Sequence, residues 1–66
     1  MKLIKVNIAG QFTPFYFNPE KFVGCEEEGK DLLHIYLEGG VELRYVQVSV
    51  EALTAILNTA MEDSKP

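Results

Sequence analysis

Leu32-Leu33-His34-Ile35-Tyr36-Leu37-Glu38-Gly39-Gly40-Val41-Glu42-Leu43-Arg44-Tyr45-Val46-Gln47-Val48 is the stretch whose reading decides the fold. Its two halves alternate apolar and polar residues around a glycine pair, the pattern of a β-hairpin. Directly opposed residues of an antiparallel pair point to the same side of the sheet, so loop length fixes the faces. A two-residue loop at Gly39-Gly40 sets Leu37 against Glu42 and Ile35 against Arg44, which puts charge on the apolar side. A three-residue loop, Glu38-Gly39-Gly40, instead pairs Leu37 with Val41, Ile35 with Leu43 and Leu33 with Tyr45 on one face. The other face then holds Tyr36 with Glu42, His34 with Arg44 and Leu32 with Val46. One apolar and one largely polar face is what a half-covered sheet requires. Such loops end in a left-handed residue, which predicts a positive φ at Gly40.

Outward from this hairpin, Ser49 precedes a helical pattern over residues 50–61 that places Val50, Leu53, Ile56, Leu57, Ala60 and Met61 on one face. Ser49 is a natural N-cap and Glu51 suits the first turn, while Ala52 occupies the capping-box position. A helix this short is marginal alone. It is therefore expected to lie on the face of Leu33, Ile35, Leu37, Val41, Leu43 and Tyr45. Glu62 to Pro66 reads as a frayed tail beyond a single domain of residues 1–61.

On the N-terminal side, Lys2 to Ile8 alternates as a first strand with Ile4, Val6 and Ile8 on one face. Phe12 to Phe17 resumes the alternation as a second strand. Pairing Val6 with Phe15 and Ile4 with Phe17 implies a loop from Ala9 to Phe12; a tighter loop at Ala9-Gly10 gives the same faces. Pro14 lacks an N–H and belongs on an edge or at a bulge. Asn18-Pro19 predicts a single helical turn. Phe22 to Glu27 reads as a short third strand with either Val23 and Cys25 or Phe22 and Gly24 inward. Glu26 to Asp31 reads as a polar turn, and Val41 to Val48 as the fifth strand. The fold class is α+β: a curved antiparallel sheet of four to five strands with one C-terminal helix on one face.

The length, 66 residues, allows one domain. A domain of this size hides about 60% of its unfolded surface, which makes self-association an expectation. Net charge is −4 and the pI about 4.8, the reverse of a phosphate-binding footprint. The single cysteine, Cys25, forms no internal disulfide, and no Cys/His set has zinc spacing. With an N-terminus that alternates too early for a signal-peptide core and no apolar run of membrane-spanning length, the chain reads as cytoplasmic and not membrane-inserted.

Chemistry-bearing groupings are few. Glu42, His34 and Tyr36 could form an acid-base cluster, but Arg44 beside them and an open sheet face favour a cross-strand surface set. Cys25 sits next to Glu26-Glu27-Glu28, which disfavours the thiolate, so a buried or half-buried filler is expected. The glutamates could attract a hard cation, yet calcium needs several oxygens from a shaped loop, and a solvated turn is the simpler reading. No catalytic residue, cofactor or metal is assigned.

The informative surface is aromatic. Phe12, Tyr16 and Tyr36 are expected on the face away from the helix, joined by Leu3 and Val46, unless the sheet curls into a small barrel and buries some of them. The candidate partner-binding residues are Phe12, Tyr16, His34, Tyr36 and Arg44. The expected function is a non-enzymatic protein-interaction module, self-associating as a homodimer or adaptor-like, that uses the aromatic sheet face or the strand edge near Pro14. The alternative is a single-stranded nucleic-acid binder that stacks bases on those aromatics, although only Lys5 and Arg44 accompany them.

The order of an N-terminal strand, Gly10, Phe17-Asn18, Phe22, Glu26-Glu27-Glu28, then Leu33, Ile35 and Leu37 before Gly39-Gly40, and Val46, Val48 and Ser49-Val50-Glu51 before the helix, resembles the small FlbD-type flagellar and swarming-motility proteins and similar short bacterial or mobile-element proteins. The resemblance spans about residues 2–57 and implies strands, an Asn turn, a Gly hairpin and a helix. It implies no catalytic residues. Where that family usually has Asn-Gly turns and an Asp-Thr pair, this chain has Ala9-Gly10, Glu38-Gly39 and Asp31-Leu32.

Overall fold

A computed structural model describes residues 3–63, with Asp63 described by its backbone alone. The start of the expected first strand at Lys2, the first two residues of the Met1 to Lys5 alternation that argued against a signal-peptide core, and the tail from Ser64 to Pro66 lie outside the described residues. The architecture is α+β. Strands β1 (Ile4–Val6) and β2 (Phe15–Phe17) pair as one antiparallel sheet, and β3 (Phe22–Gly29), β4 (Leu32–Leu37) and β5 (Val41–Val46) form a second, followed by helix α1 (Val50–Asp63). The expected tail therefore begins later, since Glu62 and Asp63 are still helical.

The β4–β5 hairpin has the three-residue loop, with Leu37 opposite Val41, Tyr36 opposite Glu42 and Ile35 opposite Leu43. Gly39 and Gly40 both have positive φ, +84° and +76°. Beyond Leu43 the expected register fails. Leu33 pairs with Val46, because Arg44 and Tyr45 form a bulge and Tyr45 itself is left-handed at φ 56°. Tyr45 is thus 50% exposed and not under the helix, while Val46, expected on the outer face, is fully buried. Val41 also stands out of the core, at the exposed end of the hairpin. Strand β5 ends at Val46, short of Val48.

The same bulge joins the two sheets. Ile8 bridges Val46: the Ala9 N–H donates to the Tyr45 carbonyl at 2.9 Å and the Gln47 N–H to the Asn7 carbonyl at 2.7 Å. Ile8 is consumed by this bridge, so β1 stops at Val6. Ile4–Phe17, Lys5–Tyr16 and Val6–Phe15 are the β1–β2 pairs, the register of the longer of the two loops considered. Residues 12–14 belong to the connection and not to β2, and Pro14 precedes the strand. At Asn18 the chain turns: its Oδ1 accepts the Glu20 N–H at 2.9 Å and buried Pro19 opens a single 3₁₀ turn, Pro19–Lys21.

Strand β3 is longer than expected, with the acidic run inside it and the turn reduced to Lys30-Asp31. A bulge at Val23 resolves its alternation. Phe22 pairs with Leu37 and Gly24 with Tyr36, so Phe22 and Cys25 both pack against the core while Val23 is exposed. The core unites both sheets and the helix through Ile4, Val6, Phe17, Leu33, Ile35, Leu37, Leu43, Val46, Leu53 and Ala60. Helix α1 is capped as expected, Ser49 Oγ accepting the Ala52 N–H at 3.1 Å. It buries Leu53 and Ala60 and half-buries Val50 and Leu57, leaving Ile56 and Met61 exposed. The helix sits chiefly against β1 and the 3₁₀ turn, so its apolar stripe is rotated from the one expected. No helix among the described residues is long and apolar enough to cross a membrane.

Candidate interaction surfaces

Two surfaces hold the candidate residues. The first is the outer face of the three-stranded sheet, where alternation brings Glu26, His34, Tyr36 and Glu42 together and the bulges add Glu28 and Arg44. His34 Nε2 lies 2.8 Å from Glu42 Oε1, and its ring stacks on Tyr36 with centroids 4.3 Å apart. The Tyr36 hydroxyl donates to Glu26 and stands 3.4 Å from His34 Nδ1. Glu28 reaches from β3 across β4 to β5. It accepts the Tyr45 N–H at 2.8 Å on Oε1 and the Arg44 Nη2 at 2.6 Å on Oε2, with Oε2 also 3.9 Å from His34 Nδ1.

This covering explains why His34 is only 9% exposed on a face expected to be open. Both ring nitrogens face partners and its plane is stacked. The electrostatics follow the geometry. The Tyr45 amide, and after it the Arg44 guanidinium, hold the Glu28 carboxyl below the usual carboxylate range. The hydrogen bond to Glu26 raises the Tyr36 phenol, with burial adding to it. Glu28 in turn raises Arg44. Arg44 also stacks over Tyr45, 5.2 Å from ring centre. Among the described residues no group of three or more His, Cys, Asp or Glu is placed to hold a metal ion. The arrangement is a self-satisfied ladder that locks the β5 bulge.

His34 and Tyr36 meet Glu42 on this face as expected, but Arg44, expected directly opposite His34, lies in the bulge and joins them only through Glu28, and the expectation of a solvated turn over Glu26 to Glu28 missed two of the ladder's members. The signal for them was Lys30-Asp31 after Gly29, a turn short enough to leave the glutamates in β3. Phe12 and Tyr16 are elsewhere. Tyr16 projects from β2, more than half exposed, and Phe12 stands fully in solvent on the β1–β2 connection. Val46 does not join them, being core.

The second surface is built from this β1–β2 unit. From Val6 to Pro19 the chain has no Asp, Glu, Lys, Arg or His, in a protein of which 24% is charged. Beside it, Leu3 and Ile4 of the first strand region and Ala55, Ile56, Thr59 and Ala60 of α1 line an apolar groove of about 290 Å³. A more polar cleft of about 440 Å³ separates the β1–β2 connection from β5, between Ile8, Gln11, Phe15, Glu42 and Arg44. The chain matches no protein-family model, no curated protein and no solved structure.

Proposed function

We propose that the chain is a small, cytoplasmic, non-enzymatic protein-interaction module that self-associates or acts as an adaptor. The observation that carries this reading is the charge-free run from Val6 to Pro19 with Phe12 and Tyr16 exposed on it. Aromatic enrichment with depletion of charge is the compositional mark of an interface centre. The ladder of His34, Tyr36 and Arg44 is self-paired, and of its members Glu42 and Arg44 line the cleft beside the β1–β2 connection. Resemblance to flagellar and swarming-motility proteins supplies a setting in which such a module would meet another protein.

A photo-cross-linking phenylalanine analogue at position 12 tests the reading in the cell. Adducts to protein, whether a second copy or another chain, support it. Adducts to nucleic acid alone would replace it with the single-strand-binding reading, and an absence of adducts would remove it.

A further inference from the structure

The interaction-module reading leaves open what occupies the surface, and the backbone of β2 narrows it. We propose that two copies of the chain join along the outer edge of β2, antiparallel, with the two-fold axis at Tyr16. Among the described residues β2 pairs with β1 alone, so its other edge presents backbone groups with no strand beside them, a template for another strand.

Asn7 and Ala9 aim their backbone groups at β5. Alternation along the strand therefore turns those of Ile4 and Val6 toward Phe17 and Phe15 of β2, and across the pair it turns the Tyr16 N–H and C=O outward. The Pro14 carbonyl and the Asn18 N–H face the same way. Asn18 is still extended, at φ −76° and ψ 122°. With the axis at Tyr16, the two Tyr16 residues exchange N–H···O=C bonds and each Asn18 N–H meets the Pro14 carbonyl of the other copy. The bond that Pro14 cannot donate would have gone to the Asn18 carbonyl. That carbonyl already accepts the Lys21 N–H at 2.9 Å, so the proline leaves no acceptor unpaired at this edge.

A second copy fits better than an unlike strand. In an isologous pair each edge meets its own image, so any charge faces a like charge. The β2 edge carries none, whereas the free edge of β3 carries Glu26, Glu27 and Glu28 and is broken by bulges near Val23 and Glu28. That edge is guarded in the manner of strands that must not pair. Joining two β2 edges makes one four-stranded sheet and sets the half-exposed Tyr16 rings directly opposite each other, a favourable cross-strand pair.

Sedimentation of the full chain from micromolar to submillimolar concentration tests this, with Tyr16→Glu and Ile56→Glu as paired variants. Within one copy Tyr16→Glu puts a carboxylate opposite Lys5, a compatible pair, but across the axis it opposes two carboxylates. The expected result is a dimer that Tyr16→Glu weakens at least tenfold and Ile56→Glu, in the helix groove, leaves unchanged. Tyr16→Thr, which keeps a strand-forming residue, should weaken it several-fold, and covers the case in which the charged variant misfolds. A monomer throughout, or a dimer indifferent to Tyr16 and broken by Ile56→Glu, overturns the proposal. If the monomer still cross-links to another protein through position 12, the interaction reading survives without the dimer; if it does not, both fall.

Discussion

The backbone N–H of Tyr45 donates to Glu28 Oε1 at 2.8 Å, a bond that spans from β3 over β4 to β5. The residue it holds is left-handed, and its carbonyl accepts the Ala9 N–H. Tyr45 is therefore gripped by a side chain from its own sheet and by a backbone amide from the β1–β2 connection. The bulge is the joint of the fold: it shifts the β4–β5 register by one residue so that Val46 pairs with Leu33 on one side and Ile8 on the other.

Glu28 should make this joint acid-sensitive. Its carboxyl is lowered in the folded chain, so folding favours the ionised form. That stability is fully present above the unfolded-state value and is lost as pH falls through the lowered folded value. Urea denaturation across the acid range should show a stability decline that is shallower in Glu28→Gln, with the variant less stable at neutral pH. Parallel declines in both proteins would contradict the assignment.

Tyr36 should behave in the opposite sense. Its folded phenol is raised, so the stabilisation holds below the unfolded-state value and disappears as pH rises through the folded one. Ultraviolet titration should find a tyrosine ionising above the ordinary range. Tyr36→Phe should remove that step, and its persistence would place it on another residue.

Backbone conformation predicts a contrast between two positions. A Cβ at Gly40 meets nothing within 4 Å, so Gly40→Ala costs only the left-handed penalty, about 1 to 2 kcal/mol. Tyr45→Gly relieves the same penalty and loses a half-exposed ring, so it should be near neutral. Chemical denaturation distinguishes them; a Tyr45→Gly loss as large as that at Gly40 would mean that the ring, through Arg44, matters more than the φ angle.

Leu53 is the buried anchor of α1 in the shared core. Leu53→Ala should cost about 2 to 5 kcal/mol, comparable with the roughly 3 to 5 kcal/mol a core of this size supplies. Circular dichroism should therefore show the variant largely unfolded at room temperature, where Ile56→Ala remains folded.

The hairpin was legible because a glycine pair between alternating runs restricts register, and it failed where one residue interrupts the alternation. Nothing in Arg44-Tyr45-Val46 marks a bulge locally, since the carboxylate that stabilises it comes from Glu28, two strands away. The same blindness applied at Val23. On the outer face His34, Tyr36 and Arg44 could be grouped from period two alone, but Glu26 and Glu28 could not while the turn was drawn too wide. Phe12 and Tyr16 were recognisable as exposed aromatics. Their separation from Tyr36 depends on how the two sheets meet at Ile8 and Val46, a tertiary relation.

Amide hydrogen exchange along β2, measured at several protein concentrations, tests the proposed edge pairing most directly. The Phe15 and Phe17 amides, bonded to β1, should be protected at every concentration. Those of Tyr16 and Asn18 should exchange quickly in dilute protein and become protected as it associates. Rapid exchange of Tyr16 and Asn18 in a sample that sediments as a dimer would contradict the account and place the contact on another face.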